Sequence, residues 1–487
     1  MNNKKGIVQS GNLGSSLWTL DGEGTLTIGA GEFEGPLVSD GELKWPWDAF
    51  KMQIRRVDGR AFFQASGSLE AMFRGLINLE EAILTGWKTH GVADFSRMFF
   101  ECSSLKKVDV TSFDVSQAYF FFQLFSQCRS LKSLDLSTWR MRKAEMTSMM
   151  FEDCVALEEL KEPADWSFFN LEEMAYMFAN CGSLKKLDVS SWELSSAFDL
   201  DGVFMGCKSL EFLDVSNWWV ERVTTMDSLF CGCSHLKHLD VSNWKTGQVV
   251  NMANLFLGCR ELNDLDVSNW DVHTVEDMSH LFEECPFETL DLSHWHPWNV
   301  QHITSMFGHC RNLKSLNLAN WNTVCLESMT RLCQCCERLE KIDVSNWDTS
   351  HVFTMVETFW RCRKLKELDL SSWNTERVEH MDGFCGECFH LETINLANWN
   401  LSSLEEATRL PAERDFFLDC FHLSTIFYPS GKKEMILELI EESFILLTPP
   451  TPENPALLEE ETLEFQNSKG EKQWITFIPY SSPCHLI

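Results

Sequence analysis

The chain has 487 residues, 44% of them hydrophobic and 23% charged, an average soluble composition that argues against disorder over most of its length. Its formal net charge of −31 at pH 7 repels phosphates and anionic head groups, so nucleic-acid binding is not expected. No run of about 18 apolar residues occurs, so no membrane-inserted helix is expected either.

The opening "MNNKKGIVQSGNLGSSLW" is basic but has no apolar stretch behind it, and no secretion signal is expected in it. Leu20 and Leu26 flank a turn at Gly22 to Gly24, which predicts a β-hairpin, and residues 1–60 are assigned to a β-rich N-terminal cap. From there the chain repeats. Trp87, Phe113, Trp139, Trp166, Trp192, Trp218, Trp244, Trp270, Trp295, Trp321, Trp347, Trp373 and Trp399 recur every 26 residues, with one interval of 27 and one of 25.

A typical unit reads L-x-x-L-D-V-S-N-W and then V-x-x-M-x-x-L/M-F-x-x-C. Leu239 and Val241 fall on one side of an extended segment, Asp240 and Ser242 on the other. Val249, Met252, Leu255, Phe256 and Cys259 follow at helical spacing, which predicts one short helix per unit. One strand and one helix in 26 residues make a coil that buries its apolar stripe only against copies of itself. At strand spacing, thirteen coils would make a curved rod on the order of 60 Å long.

L-x-x-L-D-V-S-x-W combined with M-x-x-M-F-x-x-C resembles the BspA-like bacterial surface-protein leucine-rich repeat, shared with mycoplasma lipoprotein repeats. The resemblance covers roughly residues 60 to 430, and "WTLDGEGTLTI" with "WPWDAF" is similar to that family's opening module. It implies an α/β right-handed leucine-rich-repeat solenoid, with a parallel β-sheet on one face, short helices on the other and a cap at each end. The solenoid is placed at 61–431, with about 13 to 14 coils. The resemblance also implies a surface or secreted adhesion role, toward host or neighbouring-cell proteins.

Three columns are candidate functional features. Asp135, Asp188, Asp214, Asp240, Asp266, Asp291, Asp343 and Asp369 line the outward strand face, with Asn317 and Asn395 substituting. Such stacked carboxylates need an offset. Hydrogen bonds to neighbouring Ser hydroxyls and turn N–H groups are the favoured one; bound Ca²⁺ or a basic partner is the alternative. Trp192, Trp218, Trp244 and Trp270, like the other ladder Trp residues, read as core. So do Cys207, Cys233, Cys259 and Cys285, which belong to a ladder of 12 among 19 cysteines and read as free buried thiols. The Cys333–Cys336 and Cys385–Cys388 pairs have zinc-like spacing, but Cys333 and Cys385 stand in the Phe slot of the repeat, so no metal is assigned.

Trp219, Trp298 and Trp360 lie outside the ladder and are candidates for exposed contact residues. Between the fixed leucines the residues change freely (Lys132, Glu211, Lys237, Asn263, Glu288), as in a recognition surface. A degenerate coil is expected through Phe416 and Cys420, and a C-terminal cap and proline-containing tail over 432–487. That tail is read as a helix over 432–447, a linker at 448–455 and a strand around 473–478. The terminal "CHLI" has the spacing of a prenylation box without a polybasic neighbour, and lipidation is not expected. No nucleotide, hydrolase or metalloprotease motif is present, so neither an enzyme nor a cofactor is expected. The reading is a non-enzymatic protein-binding solenoid at the cell surface or secreted, with a cytosolic scaffold or effector as the alternative.

Overall fold

A computed structural model describes residues 6–36, 38–39, 42–163, 166, 168–400, 416–441, 445–446 and 461–480. It divides into two compact units, Met1–Thr246 with Cys259–Asn269, and Gly247–Gly258 with Trp270–Ile487.

In the first unit the Ile7–Leu13, Ser16–Asp21 and Thr25–Ile28 strands form an antiparallel meander, with Leu20 opposite Leu26 across the Gly-containing turn. Thr25–Ile28 then pairs in parallel with Arg56–Asp58, and the sheet continues through Glu81–Ile83 and Lys107–Asp109. From Glu81 onward each step is one repeat: Val108 pairs with Ala82, and in a separate two-stranded sheet Leu160 pairs with Leu134. In the second unit Thr289–Asp291, Ser315–Asn317 and Lys341–Asp343 stack in the same register. The last sheet runs from Glu367–Asp369 through Thr393–Asn395 and Thr425–Pro429 to Lys472–Tyr480, which pairs antiparallel with Glu461–Gln466. A helix occupies Lys433–Glu441. The linker at 448–455 and the terminal Cys484 lie outside the described residues.

The expected short helices are not there. Among the described residues of the repeats, the M-x-x-L-F-x-x-C segment is a run of β-turns stacked on the same run in the next coil. Met98, Phe100 and Cys102 donate N–H to the carbonyls three residues back, at 3.0–3.2 Å. The alternate residues Arg97, Phe99 and Glu101 donate along the coil axis to Phe122, Leu124 and Ser126, at 2.7–3.0 Å. Each coil places two residues at positive φ, four apart, such as Arg97 and Glu101 or Asn254 and Gly258. Non-glycine residues fill most of these positions, at a local cost of about 1–2 kcal/mol each that the axial hydrogen bonds offset.

Spacing explains the correction. Packed helices stand roughly 8–10 Å apart, whereas the Phe rings of successive coils lie 5.3 Å (Phe99–Phe125) and 5.9 Å (Phe204–Phe230) apart. Coils that close together leave no room for helices, and a turn run satisfies its backbone at that distance. A third column of parallel bridges, from Asp94 through Phe120, Met146, Glu173 and Asp199 to Thr225, links the wall's entry points. The core inside these walls is Leu, Val, Met, Phe, Trp and Cys at or near zero exposure.

Candidate functional site

The Asp column is held by its own turn. Asp135, Asp188, Asp214, Asp240 and Asp343 each accept the N–H and the hydroxyl of the Ser two residues on, with hydroxyl distances of 2.6–2.7 Å. Asp266, Asp291 and Asp369 accept the N–H of Ser268, Ser293 and Ser371 at 2.9–3.0 Å. Where Asn317 and Asn395 replace Asp, Ala319 and Ala397 replace Ser, and the turn keeps its backbone bond without the hydroxyl one. The charge and the second donor disappear together. Lys161 and Ser137 hold the Asp135 carboxyl down at about 2. Among the described residues no group of three or more His, Cys, Asp or Glu is arranged to hold a metal ion.

The Cys column has an equally local account. Cys207, Cys233 and Cys259 each donate a thiol hydrogen bond of 3.2 Å to the Phe-slot carbonyl of the preceding coil (Phe178, Phe204 and Phe230), and Cys285 bonds Phe256 at 3.3 Å. Burial pushes Cys154 and Cys207 up to about 12. All 18 cysteines among the described residues are free. Cys333 and Cys385 behave as Phe substitutes, and their carbonyls accept from Cys362 and Cys420.

Trp192, Trp218 and Trp244 stack with ring centroids 5.5 and 5.9 Å apart, and Trp270 stacks on Trp295 at 6.2 Å. The indole N–H groups of Trp218 and Trp244 donate to Val189 and Val215 of the preceding coil. Trp192, like Trp87 and Trp166 of the ladder, has its Nε1 buried without an acceptor. The coil before Trp192 carries "KEPADW" where its neighbours carry "LDLSTW" and "LDVSSW".

Part of the variable surface is also structural. Lys106 pairs with Glu80, Lys237 with Glu211 and Lys314 with Glu288, at 2.8–2.9 Å between equivalent positions of adjacent coils. The neighbouring strand-face column is also paired, Lys107 with Glu81 and His238 with Asp264, but it leaves Phe212 56% exposed.

Of the off-ladder Trp residues, Trp219 is 62% and Trp298 60% exposed. Trp360 is not a free contact residue: a Cβ on Gly386 would meet its ring at 2.1 Å, so it packs on the next coil. Trp219 and Asn217 border a cavity of about 490 Å³ that reaches across to the previous coil at Ser190–Ser195. Register showed no such site, because its two halves are 26 residues apart and neither is unusual alone.

Five overlapping matches, at residues 67–192, 156–238, 198–316, 231–340 and 301–417, fit the family described as "Mycoplasma protein of unknown function, DUF285". The chain belongs to this family. The DUF285 chain is a leucine-rich-repeat protein related to the BspA-like type. No curated protein matches it. Among solved structures, it is similar to a leucine-rich cell surface protein of Faecalibacterium prausnitzii, with 16% identity and TM-score 0.28, over 88% of this chain and 97% of that one. It is also similar to the pneumococcal vaccine antigen PcpA, with 14% identity and TM-score 0.25, over 89% and 96%. A Leptospira interrogans leucine-rich-repeat protein gives 15% and 0.22, over 75% and 89%. At these scores the likenesses carry no inference about binding. Among the described residues of this DUF285 chain, no helix is long and apolar enough to cross a membrane.

Proposed function

We propose that the chain is a non-enzymatic protein-binding solenoid, displayed or secreted as an adhesin-like protein, that engages host or neighbouring-cell proteins through its strand face and adjoining loops. Its coils take the right-handed sense usual for parallel strand connections. Residues 1–60 and 432–487 cover its ends. One observation carries the reading: the column that holds Lys107, Phe212, His238 and Asp264 changes chemistry from coil to coil on an invariant frame and leaves a large aromatic exposed. That is how a repeat scaffold builds a recognition surface. The Asp column contributes negative charge beside it, as a rim rather than as a metal site.

A second reading, a cytosolic scaffold, draws on the 18 free cysteines, since thiols persist in reducing compartments. External protease on intact cells of the native host separates the two. Cleavage supports display. Protection, with thiols alkylated only after unfolding, supports the scaffold. A Phe212→Asp variant that retains every ligand of the wild type would remove the strand face from either reading.

A further inference from the structure

The corner after the ladder residue is capped by Asp or Asn in some coils, while Lys88, Arg140, Glu193, Trp219, Lys245 and His296 stand there in others. In the position directly after the ladder residue, Asp114, Asp271, Asn322, Asp348 and Asn374 each turn back to accept the N–H two residues on, at 2.9–3.3 Å. This is the turn cap that Asp and Asn supply through their short side chains. Glu193 and Trp219 occupy that position in the two coils that border the 490 Å³ cavity. Glu193 is one carbon longer and makes no cap. Trp219 has no acceptor at all.

Other polar groups around the cavity are equally unengaged. Asn269, Asn320 and Asn346 donate their side-chain amides to the preceding coil at 2.9–3.3 Å. Asn217, at the same position, makes no side-chain hydrogen bond among the described residues, nor does Asn243 of the next coil, nor do Ser191 and Ser195. Trp192, 1% exposed and lining the cavity, keeps its buried Nε1 donor without a partner. Burying a polar group without a partner costs roughly 1–3 kcal/mol. The repeat avoids that cost at Trp218 and Trp244 but not at Trp192, nor at Trp87 and Trp166 away from the cavity.

We propose that this corner is a binding subsite for a neutral saccharide unit. The exposed indole of Trp219 supplies a flat apolar surface for the C–H face of a sugar ring. Glu193 accepts from adjacent hydroxyls, while Asn217, Ser191 and Ser195 donate and accept around the ring. The volume lies within the roughly 300–1,000 Å³ of small-ligand sites. The Glu193 carboxylate and the net charge of −31 disfavour sialylated or sulfated sugars. An extended peptide fits less well. The corner N–H groups of Trp192 and Trp218 are spent on Val189 and Val215 at 3.1 Å, so they are closed to strand addition. This subsite does not depend on the protein-binding role of the strand face.

The test titrates the full chain with chitotriose, maltotriose, mannotriose and lactose, read by saturation-transfer NMR and tryptophan fluorescence. We expect at least one to bind. Trp219→Ala weakens it by about tenfold or more, as loss of an aromatic stacking surface does. Glu193→Gln weakens it severalfold, and Trp298→Ala leaves it unchanged. Trp219 is 62% exposed, so its variant keeps the wild-type melting temperature and remains interpretable. No binding by any of the four sugars, or equal binding by wild type and Trp219→Ala, overturns the proposal. So does a Trp219-dependent partner protein that still binds after enzymatic removal of its glycans, which would make the corner a protein contact.

Discussion

The corners of the coils between Leu313 and Asn398 and the corner at Ser190–Trp219 are built from the same repeat but use their polar groups in opposite ways. In the former, Thr323, Thr349 and Thr375 are buried and donate to Asp348, Asn374 and Asn400 of the following coil at 2.7–2.9 Å. Asn322, Asp348 and Asn374 cap their turns. In the latter, Leu194 replaces the Thr, Glu193 and Trp219 replace the capping residues, and Ser191, Ser195 and Asn217 stay open while Ser190 bonds Asp188. A repeat scaffold can thus commit a corner either to coil-to-coil bonding or to something outside the chain. What sets the Ser190–Trp219 corner apart is the exposed indole beside open polar side chains; the missing cap is shared by the corners at Lys88, Arg140, Lys245 and His296.

Four substitutions or conditions sharpen that contrast. The largest effect belongs to the ladder itself: Trp347→Ala removes a 1%-exposed ring stacked 5.8 Å from Trp321 and its bond to Leu318, and should cost about 3–5 kcal/mol in urea unfolding. An equal loss for Trp219→Ala would break the distinction between the two kinds of Trp.

Alkaline pH acts on the buried thiols. Folding raises Cys154 and Cys207 from the ordinary 9.0 to about 12. The folded state keeps protons that the unfolded chain releases, so their stabilisation is complete below about pH 9 and is lost as pH rises from there toward 12. The melting temperature should fall across that window, with Cys325, which is exposed, alkylated before any ladder thiol. Ladder thiols that react in the folded protein at pH 8 would refute the buried assignment.

Thr349→Val leaves the Asn374 carbonyl without its donor in a 1%-exposed site, and should cost about 1–2 kcal/mol. The smallest effect is the most discriminating. Trp219→Asp restores the capping residue, so it should raise stability by about 0.5 kcal/mol. It should also abolish saccharide binding, the sign expected where a site is kept at a cost to the fold. A destabilised Trp219→Asp protein would mean that the indole serves packing.

The sequence by itself determined the period, the three stacked columns, and the Trp and Cys columns as core. Residues 26 apart can only meet their own equivalents in a coil, and Trp, Phe and Cys at each position leave little else to bury. The Asp–Ser turn was legible for the same reason, because its partners are two residues apart. The wall opposite the strands was not. Apolar residues at M-x-x-L-F-x-x-C suit a helix and a run of stacked turns alike, so the pattern was silent between them. The close spacing of the coils decided it, and spacing is a property of neighbouring coils rather than of one unit. Tertiary structure also decided which variable residues were free. Lys237 and Glu211 turned out to answer each other, whereas Glu193 and Trp219 answered nothing within the described chain.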